Sequence, residues 1–433
     1  MPDSELSQLV DDESRDVVVD DRVTVISCDG HVGPGVRAEL RAYCPEKHLA
    51  DFDDYLGELE QSQLRTTVNN ELDPPQERID VLVQRARFEG LHDPVARLRD
   101  MDADGISAEV IFHGGANGQT VPFSMFGVTV TWSSRKFDHL EDVGVEIYNR
   151  WLADYVSADP KRLLGLAHVT AHDVDKAISE VKWAKEAGLR GVNLPAPRRD
   201  FTPYSDPSWD PFWAVCEDLE MTLCTHAGLG DLDDRFRGPS QNPIYLVEMA
   251  WFGRRAIWHL IFSGVFARFP NLKYMVAEQF GDWVPATLSE LDSTYLTPHF
   301  SAKMREVVPE RPSDYFRRCC YVGASFMSRE EAEMGVENDL VGNIMWGADY
   351  PHPEGSFPHS TLALRKTLAG LPASAVRAYV TQTAADAFHI DVAALEPIAQ
   401  RIGPPFSELM KPYPGRPEGS ATSFAFRDFG HWV

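Results

Sequence analysis

Positive charge is in short supply along this 433-residue chain. Lysines and arginines number 41 against 66 aspartates and glutamates, a formal net charge of −25. A surface of that sign repels phosphate backbones and anionic lipid headgroups, so neither nucleic acid nor a membrane surface is expected as a partner. No apolar run approaches the ~20 residues of a membrane span. The opening stretch MPDSELSQLVDDESRDVVVDD lacks the basic start and apolar centre of a secretion signal. Cysteine is sparse too, with six residues at 28, 44, 216, 224, 319 and 320 and no CxxC spacing. That pattern argues against a thiolate metal site or a disulfide framework and for reduced, buried thiols in a cytoplasmic protein. Cys319 and Cys320, read as strand neighbours, would face opposite sides. Internal repeats and low-complexity segments are also missing, and no GxGxxG follows the first strand-like run, which disfavours an open dinucleotide-binding sheet.

What is present is a rhythm. Short apolar runs recur as VTVISCD (23–29), AEVIFHG (108–114), LLGLAHV (163–169), LRGVNLP (189–195), MTLCTH (221–226), LKYMVAE (272–278), CCYVGA (319–324) and IMWGAD (344–349). Between them lie stretches with helical spacing, such as VDKAISEVKWAKEAG (174–188), where Ile178, Val181 and Ala184 share a face, and DPFWAVCEDLE (210–220). Strand and helix in alternation imply parallel strands with right-handed crossovers, and eight such units close an elaborated (β/α)8 TIM barrel.

Two connections exceed ordinary strand-to-helix turns: residues 32–107, with the polar, partly helical AELRAYCPEKHLADFDDYLGELEQSQL, and residues 114–140. Both leave from the strand ends that carry active sites in such barrels, which suits a cap or substrate lid, with Phe123, Phe126 and Trp132 as its aromatics. The expected organisation is an acidic, flexible arm over 1–20, a barrel over 21–390 and a tail over 391–433. The tail carries Phe424, Phe426, Phe429 and Trp432, and is expected to pack on the barrel or on a partner subunit.

The C-terminal strand ends then supply Asp29 and His31, His113, His168, Asn193, His226, Glu278 and Asp349 in turn. Asp29 and His31 stand two residues apart, on one face of an extended chain. Any one histidine could be a hydrogen-bonded core residue. Convergence of imidazole and carboxylate groups from distant strands on one barrel mouth points instead to a catalytic divalent cation. His352 and Glu354 follow the last strand and could line the pocket or stabilise the PHPEG turn. Arg198, Arg199, Arg235 and Arg237 lie in loops where a substrate carboxylate or phosphate could be clamped.

The DxH at 29–31, the THAG at 225–228, AEQFGDWVP at 277–285 and MWGADYPHPEG at 345–355 together resemble the amidohydrolase-related, metal-dependent TIM-barrel family. That family contains the aminocarboxymuconate-semialdehyde decarboxylase-like enzymes. RLRDMDADGISAEVIF (97–112) and HLIFSGVFARFPNLKYMVAEQFGDWVP (259–285) are similar to it as well, and the resemblance spans roughly residues 23 to 390. It implies a metallo-dependent hydrolase-like fold with Asp29, His31, His226 and Asp349 as metal ligands. It also implies that Asp349 handles the proton of metal-bound water. One position departs from the family: a histidine is usual where this sequence has Glu278. The carboxylate-rich set that results favours Mn or Fe over Zn, in one or two ions, with Glu278 as a ligand or as a group orienting a ligand histidine.

Two readings of function follow. The first is a metal-dependent enzyme that hydrolyses or decarboxylates a small organic acid or ester, with Asp349, Glu278 and His352 as the catalytic candidates. His113, His168, Asn193, Arg198 and Arg235 are then candidates for contact with substrate or ligands. The alternative is a nonheme diiron monooxygenase acting on a hydrophobic natural-product substrate, free or CoA-linked. Either would be a cytoplasmic homo-oligomer, a dimer being the commonest assembly.

Overall fold

The computed structural model describes residues 21–68, 84, 88–114, 121–124, 136–199, 201–228, 240–297, 302–420 and 423–427. Among these residues, nine short strands form one parallel sheet: β1 (Ile26–Ser27), β2 (His31–Val32), β3 (Ala108–His113), β4 (Leu163–His168), β5 (Gly191–Asn193), β6 (Thr222–His226), β7 (Tyr274–Ala277), β8 (Cys320–Ala324) and β9 (Ile344–Trp346). Each of β3 to β8 pairs with the next, and β1 and β2 both pair with β3. The first run is thus one barrel stave interrupted at Cys28–Gly30. The ring closes where the last stave meets the first: Cys28 N donates to Trp346 O at 3.0 Å, Asp349 N to Asp29 O at 2.9 Å and His31 N to Tyr350 O at 2.6 Å. The TIM barrel expected from eight alternating units is the fold.

The strand interiors are buried on both faces, as a sheet wrapped by helices requires. Helix 174–186 buries Ala177, Val181 and Ala184, and its N-cap Asp173 accepts from the backbone N–H groups of Asp175 and Lys176. Helix Pro94–Asp104 starts on an Asp93 cap with proline at its first position and stops at Gly105, whose φ of 80° is left-handed. One local expectation fails. Cys319 ends the helix Pro312–Cys319 and only Cys320 begins β8. Tyr315, Phe316 and Cys319 fall on the buried side at helical spacing, which the apolar run CCYVGA hides. All six cysteines are free and buried.

Within the long insertions, helix Leu49–Val68 turns Phe52, Tyr55 and Leu56 inward. Phe123 packs there, its ring 5.8 Å from Phe52, 5.2 Å from Tyr55 and 5.8 Å from Phe137. It knits the two insertions together and is 3% exposed. Phe126 and Trp132, the other expected lid aromatics, lie outside the described residues, as do the 1–20 arm, Phe429 and Trp432. The segment Ser423–Arg427 lies on the barrel mouth: Phe424 N donates to Glu354 O at 2.8 Å and Ser423 Oγ to Gly355 O at 2.7 Å. Among the described residues, no helix is long and apolar enough to cross a membrane.

Candidate metal centre

Asp29 lies between β1 and β2, His31 opens β2, His226 ends β6, and Asp349 follows β9 by three residues. The fold brings all four to one end of the barrel. His31 Nε2 is 3.4 Å from Asp29 Oδ1 and 3.2 Å from Asp349 Oδ1, and His226 Nε2 is 3.5 Å from Asp29 Oδ1. Ligand atoms about 2.1 Å from a shared ion and at right angles to each other would stand about 3 Å apart.

The tautomers are set from outside. His31 Nδ1 lies 2.8 Å from His113 O and His226 Nδ1 lies 2.8 Å from Ala227 O. A carbonyl only accepts, so both Nδ1 atoms carry the proton and both Nε2 atoms turn lone pairs inward. Asp29 Oδ1, His31 Nε2, His226 Nε2 and both Asp349 carboxylate oxygens are buried with no hydrogen-bond partner. Orphaned acceptors gathered at one point are costly unless a cation lies among them, so this donor set fits a divalent metal.

Without an ion, protons must do that work. Burial would raise the Asp29 carboxyl, but the His226 and His31 rings beside it more than reverse this and hold it well below the usual range. Burial opposes charge on His31 and His226 as well, yet Asp29, with Asp349 beside His31 and Glu278 beside His226, raises both. Burial pushes Glu278 up to about 8, with the Asp349 charge adding to the effect. Two of the site's carboxylates also sit on strained backbone, Glu278 at φ 52° and Asp349 at φ 54°, both in the left-handed region.

Glu278 Oε2 lies 3.3 Å from His226 Nδ1, the nitrogen that faces away from Asp29. Its carboxylate therefore backs the His226 ring. Its other near neighbours are Asp349, His352 and Glu354, which form a set with it within 4.8 Å. His352 Nδ1 is 2.9 Å from Asp349 Oδ1, and its ring stacks on His31 at 4.2 Å between centroids.

The remaining candidates divide. His113 and His168 meet edge to face at 4.4 Å, and His168 is paired in register with Asn193. Asn193 Oδ1 is buried without a partner among the described residues. Burial lowers His168 to about 3, so it is a neutral imidazole. Arg198 rests 5.8 Å over Phe201. Arg235 and Arg237 lie outside the described residues.

Sequence reasoning missed the supports beneath the site. Ser325 Oγ donates to Asp29 Oδ2 at 2.5 Å. It follows β8, the one stave for which the strand-end reading named no residue. Arg97 and Glu109 form a fully buried pair, with Arg97 Nε 2.8 Å from Glu109 Oε2, and Arg97 Nη1 donates to His31 O at 3.0 Å. The Arg97 guanidinium also lies 3.6 Å over the ring of Tyr350, next to Asp349. One guanidinium thus braces the chain at two of the convergent residues.

The amidohydrolase family model matches residues 48–390 of this chain. The 2-amino-3-carboxymuconate-6-semialdehyde decarboxylase of Dictyostelium discoideum is 28% identical over 267 residues, covering 61% of this chain and 68% of that protein. Among solved structures, the 5-carboxyvanillate decarboxylase of Sphingomonas paucimobilis superposes with a TM-score of 0.56 at 22% identity, covering 85% of this chain and all of that one. A 5-carboxyvanillate decarboxylase of Novosphingobium aromaticivorans, with bound manganese, superposes with a TM-score of 0.60 at 18% identity, covering 85% of this chain and 97% of that one.

Proposed function

The chain belongs to the amidohydrolase family, and from that premise we propose that it is a metal-dependent carboxy-lyase acting on a small unsaturated or aromatic carboxylic acid. The observation that carries the reading is the set of buried, unpartnered ligand atoms on Asp29, His31, His226 and Asp349. These four would hold a divalent ion, and manganese is the metal bound by one structural neighbour. When bound, the ion supplies a Lewis acid that fixes the substrate's oxygen atoms and draws electron density toward them.

The chain's own residues do the rest. Loss of carbon dioxide breaks the bond to the carboxyl carbon and leaves its electron pair on the substrate carbon, which then takes a proton. Asp349 is placed to relay it, taking a proton from solvent water and passing it to the carbon, so that hydroxide is left to neutralise the released carbon dioxide; its Oδ1 faces His31 and His352 while Oδ2 has no partner. Glu278 steadies His226 through Nδ1. His113, His168 and Asn193 stand at the neighbouring strand ends, His168 as a neutral imidazole. The oxygenase alternative draws no support from the three relatives, all of which are named decarboxylases. The reading includes a cytoplasmic homodimer, which sedimentation velocity would test as a mass of two chains.

The decisive experiment is carbon dioxide release by the manganese-loaded protein across a panel of unsaturated and aromatic acids, compared with Asp349→Asn. The wild type should release carbon dioxide from at least one acid. The variant should fall by about 10²–10⁴-fold while its circular dichroism is unchanged. Silence across the panel, or a variant within tenfold of wild type, would sink the proposal.

A further inference from the structure

Acids outnumber bases 66 to 41 over the whole chain, yet one hollow beside the tail reverses that balance. It lies between the start of helix Arg329–Glu337, the end of helix Ser360–Leu368, the segment 412–414 and the tail residues Ala425 and Arg427. Its volume is about 380 Å³, within the range of small-molecule sites. Arg329, Arg365, Lys366 and Arg427 line it, and Glu330 is the one acid among the lining residues.

Three of these cations are fixed in place by groups behind them. Arg329 donates from Nε to Glu333 Oε1 at 2.7 Å and from Nη1 to Thr367 O at 3.4 Å and to Ala369 O. Arg365 donates from Nε to Lys411 O at 2.9 Å and from Nη1 to Glu408 Oε1 at 2.5 Å. Arg427 donates from Nη1 to Phe326 O at 2.5 Å and Phe424 O at 2.7 Å, and from Nη2 to Glu331 Oε1 at 3.1 Å. Carbonyl oxygens orient a guanidinium without cancelling its charge. Glu408 is itself shared with Lys411, at 2.7 Å. Burial pushes Glu331 up to about 8, so at neutral pH it holds a proton and leaves the charge of Arg427 uncompensated. The N–H groups of Arg329 Nη2 have no acceptor among the described residues. The Arg365 and Arg427 side chains are only 18% and 9% exposed, so water screens them less than it does cations on the open surface.

We propose that this hollow binds a small organic molecule carrying a phosphate group, held by Arg329, Arg365, Lys366 and Arg427. A carboxylate is satisfied by one planar guanidinium fork. A phosphate dianion presents acceptors in several directions and suits cations that arrive from separate segments of the chain. Tyr413 forms part of the wall, its ring 5.6 Å from the Arg365 guanidinium, and offers an apolar surface to the organic portion. A ligand here would also steady the tail, because Arg427 both lines the hollow and ties the tail to Phe326 O. The inference is independent of the reaction at the barrel mouth.

The test is titration calorimetry of phenyl phosphate into the full chain at constant ionic strength, with benzoate as the carboxylate counterpart. The wild type should bind one phenyl phosphate with a Kd below about 1 mM and bind benzoate far more weakly. Arg329→Gln and Lys366→Gln should each weaken phenyl phosphate by about tenfold, and the double variant by more than either. Both side chains are half-buried, so circular dichroism should be unchanged. Glu330→Gln removes the lining acid at an exposed position and should tighten binding by about threefold, a gain that a damaged fold would not produce. No binding by the wild type, or benzoate bound as tightly as phenyl phosphate, overturns the proposal. Affinity that persists in the double variant does so as well, because it places the ligand elsewhere, the barrel mouth included.

Discussion

Gly30 separates Asp29 from His31, and the residue is glycine because of what lies under it. A Cβ there would sit 2.2 Å from Glu109 Oε1 and 2.7 Å from Arg97 Nη2. Neither atom can retreat, since the two side chains form a fully buried ion pair and Arg97 also holds His31 O. Gly30→Ala should cost about 1–3 kcal/mol by overpacking and lower metal affinity at least tenfold, as read by denaturant unfolding and metal titration. Wild-type values in both would show that the pair does not brace the ligands. The proposed ligands should bind metal in competition with protons. Both His31 and His226 have raised pKa values, so they hold protons over more of the pH range, and metal must displace them. Manganese affinity should therefore fall as the pH is lowered through their titration, and calorimetry in two buffers should show protons released on binding; flat affinity between pH 8 and 6 would contradict the ligand assignment. Asp29, His31, His226 and Asp349 were legible in sequence because each ends a stave, so position alone implies convergence. Ser325 and the Arg97–Glu109 pair were not, because their partners lie far off along the chain and only the closed ring brings them together.

Eight staves could be read from eight apolar runs, and what escaped were the places where tertiary contacts override the local pattern. The first run breaks at Cys28–Gly30 because the chain there swings between β3 and β9, and the run at 319 splits because Cys319 packs as a helical residue. The same holds for the segment Ser423–Arg427. Arg427 Nη1 donates to Phe326 O and Nη2 to Glu331 Oε1 at 3.1 Å, while Glu331 Oε2 accepts from Gly281 N at 3.3 Å. One residue pair thus ties the tail to the loop after β7 that carries Glu278. Burial pushes the Glu331 carboxyl up to about 8 despite Arg427. A carboxyl whose folded pKa exceeds its unfolded one favours folding as the pH falls, because the folded chain keeps a proton the unfolded chain releases above about 4.5. Arg427→Ala, which removes the buried carboxylate's partner, should cost about 1 kcal/mol more at pH 8.5 than at pH 6, whereas the cost in a Glu331→Gln background should not change with pH. Thermal unfolding at the two pH values measures both, and a penalty for Arg427→Ala that does not change with pH would rule the pair out as the cause.

At the scale of the molecule, the proposed chemistry sets two charges against each other. A chain of net charge −25 concentrates cations and repels anions, yet the proposed substrate is a carboxylate that must enter the same mouth as the metal. Manganese should load rapidly at low salt and more slowly as salt screens the attraction, because the Debye length shrinks from about 30 Å at 0.01 M to about 10 Å at 0.1 M. The metal-loaded enzyme should behave in the opposite sense: kcat/KM for an anionic substrate should rise several-fold over that salt range while kcat stays level, since screening helps the encounter and leaves the buried chemistry untouched. Steady-state kinetics at two ionic strengths, paired with stopped-flow metal loading, distinguishes this from a local effect. If kcat/KM falls with salt, the substrate is being drawn in by positive charge near the mouth, and the acidic exterior does not govern its approach.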